Sequence, residues 1–136
     1  MMQRRHKHDA VLMADGRVLI VGGADERDRE GAYRTAEIYN PATGFFTPAA
    51  EMHFTRYKLN GTTVTLSDRG VLVACGAARA ELFDPARNTF EIVAGEFGSD
   101  RLFATATRLR DDRVLIAGGY DERIRISARS WLYRQQ

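Results

Sequence analysis

An all-β chain of repeated antiparallel sheets is what this sequence predicts, on three observations. The segment Asp15-Gly-Arg-Val-Leu-Ile-Val-Gly-Gly23 returns as Asp68-Arg-Gly-Val-Leu-Val-Ala-Cys-Gly76 and again as Asp111-Asp-Arg-Val-Leu-Ile-Ala-Gly-Gly119. A second segment, Ala36-Glu-Ile-Tyr-Asn-Pro-Ala-Thr-Gly-Phe-Phe46, returns as Ala80-Glu-Leu-Phe-Asp-Pro-Ala-Arg-Asn-Thr-Phe90, with a partial third copy at Ser130-Trp-Leu-Tyr-Arg134. No window carries the apolar stripe of a helix. Val18, Val71 and Val114 are equivalent and stand 53 and 43 residues apart. A period in that range marks a repeat architecture in which each unit is one supersecondary element.

Each unit reads as four short strands. The first is predicted at Ala10–Met13, with equivalents at Thr63–Leu66 and Ala106–Leu109. A turn at Asp15-Gly16 leads into the second, Val18–Val21, apolar at every position. An unbroken run of Val, Leu and Ile this short fits a strand covered on both faces. The glycine pair that ends it lets the chain turn and lets other backbone approach closely. The third strand, Thr35–Tyr39, is stopped by Asn40-Pro41. Pro41 presets a turn, Asn40 bonds its own backbone, and Gly44 or Asn88 takes the left-handed position that returns the chain. The fourth strand runs from Phe45 to Thr47.

Composition narrows the setting. At 136 residues the chain supports one modest domain. Its 44% hydrophobic and 28% charged content is that of a folded globular protein, which excludes wholesale disorder. With 20 Lys+Arg against 18 Asp+Glu, bulk charge gives no reason to expect nucleic acid or a membrane surface as partner. Cys75 is the one cysteine, so an internal disulfide and a cysteine zinc cluster are both excluded. The longest apolar runs fall far short of the roughly 20 residues of a membrane helix. The basic start from Met1 to His8 leads into no signal-like apolar segment, so the default expectation is a cytoplasmic location.

A strand ending in Gly-Gly, an aromatic-bearing strand before Asn/Asp-Pro and a following aromatic, at this period, together resemble the kelch repeat. The resemblance is greatest to bacterial kelch proteins related to the central domain of galactose oxidase. It covers nearly the whole chain and implies a β-propeller, each repeat forming one four-stranded blade. The implied domain is a partial propeller over residues 1–136, with blades at about 8–48, 60–93 and 103–134, the last lacking its fourth strand. Phe46 and Phe90 stand where many kelch repeats carry Trp, and Cys75 replaces the first glycine of its pair. Propellers close with about 4–8 blades, so three are expected to form part of a larger propeller or to pair as a homodimer of six.

If the first strand runs up, the second-to-third loops and the linkers between repeats emerge together. Arg5, Arg56 and Arg101 lie in those linkers, and the loops Ala24–Arg34 and Tyr120–Ile126 share Asp-Glu-Arg-x-Arg, bringing Arg27 and Arg123 to the same rim. By resemblance to ligand-binding kelch domains, these arginines are candidates to hold a carboxylate or an acidic peptide through the guanidinium fork. Pairing with loop acids or backbone is the competing reading. The register is open in the second repeat: Arg5 and Arg101 stand ten residues before Asp15 and Asp111, whereas Arg56 stands twelve before Asp68 and Lys58 stands ten.

No cofactor or metal is expected. Asp25, Asp28 and Glu30 lack the spacing of a calcium loop. His6 and His8 share a strand face with no further ligand nearby. Cys75 reads as a small buried residue rather than part of a copper centre. No catalytic constellation is recognisable. The expected function is a non-enzymatic scaffold binding a protein or anionic small ligand at one rim. The alternative implied by the resemblance is a piece of a carbohydrate-active enzyme, galactose-oxidase-like or sialic-acid-mutarotase-like.

Overall fold

The computed structural model describes residues 1–135 and folds them into three antiparallel sheets. Strands β1 (Asp9–Leu12), β2 (Val18–Val21), β3 (Ala36–Asn40) and β4 (Phe45–Pro48) form the first sheet in that order. Strands β5 (Thr63–Thr65), β6 (Val71–Val73), β7 (Glu81–Asp84) and β8 (Thr89–Ile92) form the second. The third has three strands, β9 (Thr105–Arg108), β10 (Val114–Ala117) and β11 (Ser130–Tyr133). The first strands begin one residue earlier than expected in the first and third sheets. Among the described residues the fold is all-β apart from one 3-10 turn at Asp28–Gly31, inside the loop Ala24–Arg34.

The turn chemistry follows from the residues. Asn40 Oδ1 accepts from Ala42 N at 3.0 Å, and its counterpart Asp84 Oδ1 accepts from Ala86 N at 2.8 Å. Gly44 (φ 74°) and Asn88 (φ 53°) take the left-handed position that closes each turn. The aromatic residues on either side of it then meet across β3–β4 and β7–β8. Tyr39–Phe46 and Phe83–Phe90 both have ring centroids 4.8 Å apart.

Pairing registers make the three sheets superimposable in sequence. Leu19 pairs Val11, Leu72 pairs Val64 and Leu115 pairs Thr107, so these are equivalent positions on one face of each sheet. The alternate face carries Ile20, Val73 and Ile116. One core lies between the first and second sheets, with Leu19, Ile38 and Met52 against Val71, Val73 and Phe83. A second lies between the second and third, with Leu72 and Ala80 against Val114 and Ile116. The sheets meet along their first strands, β1 touching β5 and β5 touching β9. Asp9 Oδ2 fastens that seam by accepting from the amides of Thr62 and Thr63 at 2.9 Å each.

The stack is open. Leu19 and Leu72 are 0% exposed because the next sheet covers them, whereas Leu115 at the same position is 38% exposed. On the opposite flank Leu12 stands in solvent.

Candidate functional site

Linkers and second-to-third loops do share one edge. Isolated backbone bridges join His6 to Ala24, Tyr33 to Arg56 and Leu102 to Tyr120. Successive linkers are joined in turn, Leu59 N donating to Lys7 O at 3.4 Å and Phe103 N to Lys58 O at 3.0 Å. Lys7, Lys58 and Phe103 each stand two residues after a linker arginine. All three are held at left-handed φ, 55°, 56° and 49°. A non-glycine residue at positive φ is uncommon, and three at one repeat position define a backbone arc set by the architecture.

Arg5 and Arg56 turn inward onto internal partners, where the expectation had them facing a ligand. Arg5 Nη2 pairs with Glu37 Oε1 at 2.8 Å, and Arg5 Nη1 donates to Gly22 O at 2.6 Å. Arg56 is 0% exposed. Its Nε and Nη2 donate to Glu81 Oε1 at 3.3 and 3.0 Å, and Nη1 donates to Cys75 O at 2.8 Å. The partners are glutamates of β3 and β7, not loop acids. A guanidinium in this interior needs a carboxylate and carbonyls to replace its water, and the repeat supplies both. The second-repeat register is thereby resolved: Arg56 takes the buried slot, and the two extra residues form the turn at Asn60-Gly61, where Thr62 N donates to Leu59 O at 2.9 Å.

Arg101 is 7% exposed and has no carboxylate partner among the described residues. Trp131 stands where Glu37 and Glu81 stand, since it pairs Ile116 as Glu37 pairs Ile20 and Glu81 pairs Val73. The Arg101 guanidinium lies over the Trp131 ring, 5.4 Å from its centroid. A cation–π contact has replaced the ion pair.

Arg27 and Arg123 remain outside. Arg27 pairs with Asp25 of its own loop, Nη2 to Oδ2 at 2.6 Å, and hydrogen bonding from this arginine holds the Asp25 carboxyl below the usual range. The matched sequences build the same turn, Asp28 N donating to Asp25 O at 3.0 Å and Ile124 N to Asp121 O at 2.8 Å. Their fourth residues, Asp28 (φ 61°) and Ile124 (φ 59°), are both left-handed. Asp28 pairs with Lys7 at 2.7 Å, while the Ile124 side chain projects into solvent, the residue 74% exposed.

Along this arc, Lys58 Nζ sits 5.2, 5.9 and 5.3 Å from the ring centroids of Tyr57, Phe103 and Tyr120. Arg29 of the first loop reaches Glu122 of the last. Burial, and then the nearby Glu122, push the Asp100 carboxyl up. His6 Nε2 lies 2.8 Å from Asp25 O, and no group of three His, Cys, Asp or Glu is placed to hold a metal among the described residues.

Burial pushes the Cys75 thiol up to about 12, against a smaller downward pull from Arg56 and Arg101. A thiol buried and protonated does not attack electrophiles. Iodoacetamide at pH 8 is therefore expected to leave native Cys75 unmodified and to label it at the rate of unfolding. Rapid labelling in buffer, followed by mass spectrometry, would contradict this placement.

No model of a known protein family matches the chain, and no curated protein is found to be its relative.

Proposed function

We propose that the chain is a set of kelch-type propeller blades serving as a non-enzymatic binding scaffold, and that its ligand is an acidic protein segment bearing apolar side chains. The kelch reading rests on the Gly-Gly and Asn/Asp-Pro motifs, and it is supported by three sheets meeting along their first strands. The binding reading rests on one observation. Ile124 and Phe103 are apolar residues in the left-handed region on the same rim, Ile124 projecting into solvent and Phe103 about half exposed, with one side of its ring toward Tyr120 and Lys58. The architecture imposes this backbone at both positions, as it does at Lys7, Lys58 and Asp28. For a β-branched residue it is an outlier costing roughly 1–3 kcal/mol, so what supports binding is the apolar side chain displayed there rather than the backbone itself. Around these two residues Arg123 is exposed and Lys58 is half-buried, which favours acidic partners.

Selection of a displayed random-peptide library on the chain tests this. The expected peptides combine Asp or Glu with large apolar residues. Ile124→Gly relieves the backbone strain, so it should raise the melting temperature while abolishing capture of those peptides. Phe103→Gly should do the same. Selected peptides that bind both variants as well as the parent would overturn the assignment.

A further inference from the structure

The second and third linkers are laid down by the same hydrogen bonds. Met52 N donates to Arg34 O at 2.8 Å and Arg56 N to Tyr33 O at 2.9 Å. In the third linker Phe97 N donates to Ala78 O at 2.8 Å and Arg101 N to Ala77 O at 3.4 Å. Beyond the arginine the match continues, Gly23 N donating to Arg56 O at 2.8 Å and Gly76 N to Arg101 O at 2.7 Å. Two amides lie inside this common frame, three and two residues before the arginine.

In two repeats those amides have one purpose. Met2 N and Gln3 N donate to the Glu37 carboxylate at 2.7 and 3.0 Å. His53 N and Phe54 N donate to the Glu81 carboxylate at 2.8 and 3.3 Å. Each carboxylate thus sits in a cradle of two backbone N–H groups and one guanidinium. In the third repeat the corresponding donors are Gly98 N, Ser99 N and Arg101, and the carboxylate position is Trp131. Neither amide donates to an acceptor among the described residues. Arg101 Nη2 reaches only Ser99 Oγ, at 2.8 Å, where Arg5 and Arg56 each reach a glutamate and a backbone carbonyl; its buried Nε has no partner, as that of Arg5 has none.

We propose that Gly98, Ser99 and Arg101 form a binding site for a carboxylate supplied from outside this repeat. The site opens to solvent through a cleft of about 320 Å³, whose walls include Arg125 and Arg129. That is room for a small acid or for the acidic end of a longer ligand. Asp121 also lines the cleft, but its carboxylate is engaged by Arg125 at 2.7 Å, so the net charge of the walls is positive. Trp131 alone compensates the guanidinium only in part, because a cation–π contact leaves the N–H donors unmet. A carboxylate accepts from all three groups at once, as it does twice elsewhere in the chain. Neither Phe103 nor Ile124 lines this cleft, so acid binding here is read apart from peptide capture by those side chains.

The chain carries its own reporter, since Trp131 is the one tryptophan. Titration with acetate, N-acetylglycine and N-acetylglutamate methylamide, standing for a free acid, a chain end and a side chain, is followed by Trp131 fluorescence and by the amide resonances of Gly98 and Ser99. At least one probe should shift all three signals saturably, the tightest identifying the source, while the amides of Gln3 and Phe54 stay fixed. Chloride at equal ionic strength should shift none of them. Arg101→Lys, which keeps the charge but loses the fork, should weaken binding about tenfold. Trp131→Glu should build the missing carboxylate, raise the melting temperature and abolish binding, read from the amides. Wild-type signals that never saturate, or that chloride reproduces, would overturn the site, as would undiminished binding to a folded Trp131→Glu variant. Phe103→Gly and Ile124→Gly should bind the acid normally.

Discussion

Glu81→Ala is expected to cost about 3–5 kcal/mol, because it leaves the Arg56 guanidinium charged, fully buried and without its partner. Both side chains are fully buried, and the carboxylate also accepts from the His53 and Phe54 amides, so one truncation strands donors of two linker residues as well. The double variant Arg56→Met, Glu81→Leu should recover most of the loss, since apolar residues of similar volume leave no charge to desolvate. Urea unfolding of the three variants against wild type measures both effects. Equal destabilisation by the single and double variants would show that packing, rather than the charge, is what Glu81 supplies.

The same pair fixes a pH dependence. Burial alone would raise the Glu81 carboxyl, but the His53 amide, the Arg56 charge and the remaining hydrogen bonds outweigh it and hold the group below its ordinary 4.5. A carboxyl lowered in the fold contributes its full stability above the ordinary value and loses it as pH falls through the lowered one. The stability gap between wild type and Glu81→Ala should therefore close as pH drops below about 4.5. A gap that persists unchanged at the acid end of that window would contradict the ionised pair.

The strands were readable because their residues had few alternatives. Val18–Val21 is apolar throughout and had to be covered on both faces, and Asn40-Pro41 and Asp84-Pro85 had to turn. The open stack followed from counting repeats. The partners of the linker arginines were also written in the sequence but were not read. Glu37 is the second residue of β3 and Glu81 the first of β7, in apolar surroundings where a charge is tolerated only if paired, and a linker arginine precedes each, by 32 and 25 residues. The sign that the third repeat differs was Trp131 in the place of that glutamate. What the sequence withheld was direction. An arginine before an inner strand can point to the rim or beneath it, and only the carbonyls of Gly22 and Cys75, placed by tertiary packing, decide. Lys58 and Arg56 could not be ranked either, because an insertion at Asn60-Gly61 and a substitution in the slot leave the same spacing.

Gly22→Ala and Gly118→Ala alter the same motif position and are expected to differ by several-fold in cost. Gly22 lies at φ 60°, and a methyl there would overlap Arg56 O and come within 2.8 Å of Leu59 Cδ1. The clash is with backbone of the next linker, which cannot move without dislodging the Arg56–Glu81 pair. Left-handed strain and overpacking together should cost about 2–5 kcal/mol. Gly118 has nearly the same backbone, φ 73°, but a methyl there would meet only Ser127 O, at 3.8 Å. Its cost is then conformational alone, about 1–2 kcal/mol. The contrast arises because the next sheet's linker packs on Gly22, whereas no further sheet lies against the third among the described residues. Covering the open flank should therefore turn Gly118 into a second Gly22. If Gly118→Ala proves as damaging as Gly22→Ala in thermal melts of this chain, that flank is already covered in solution.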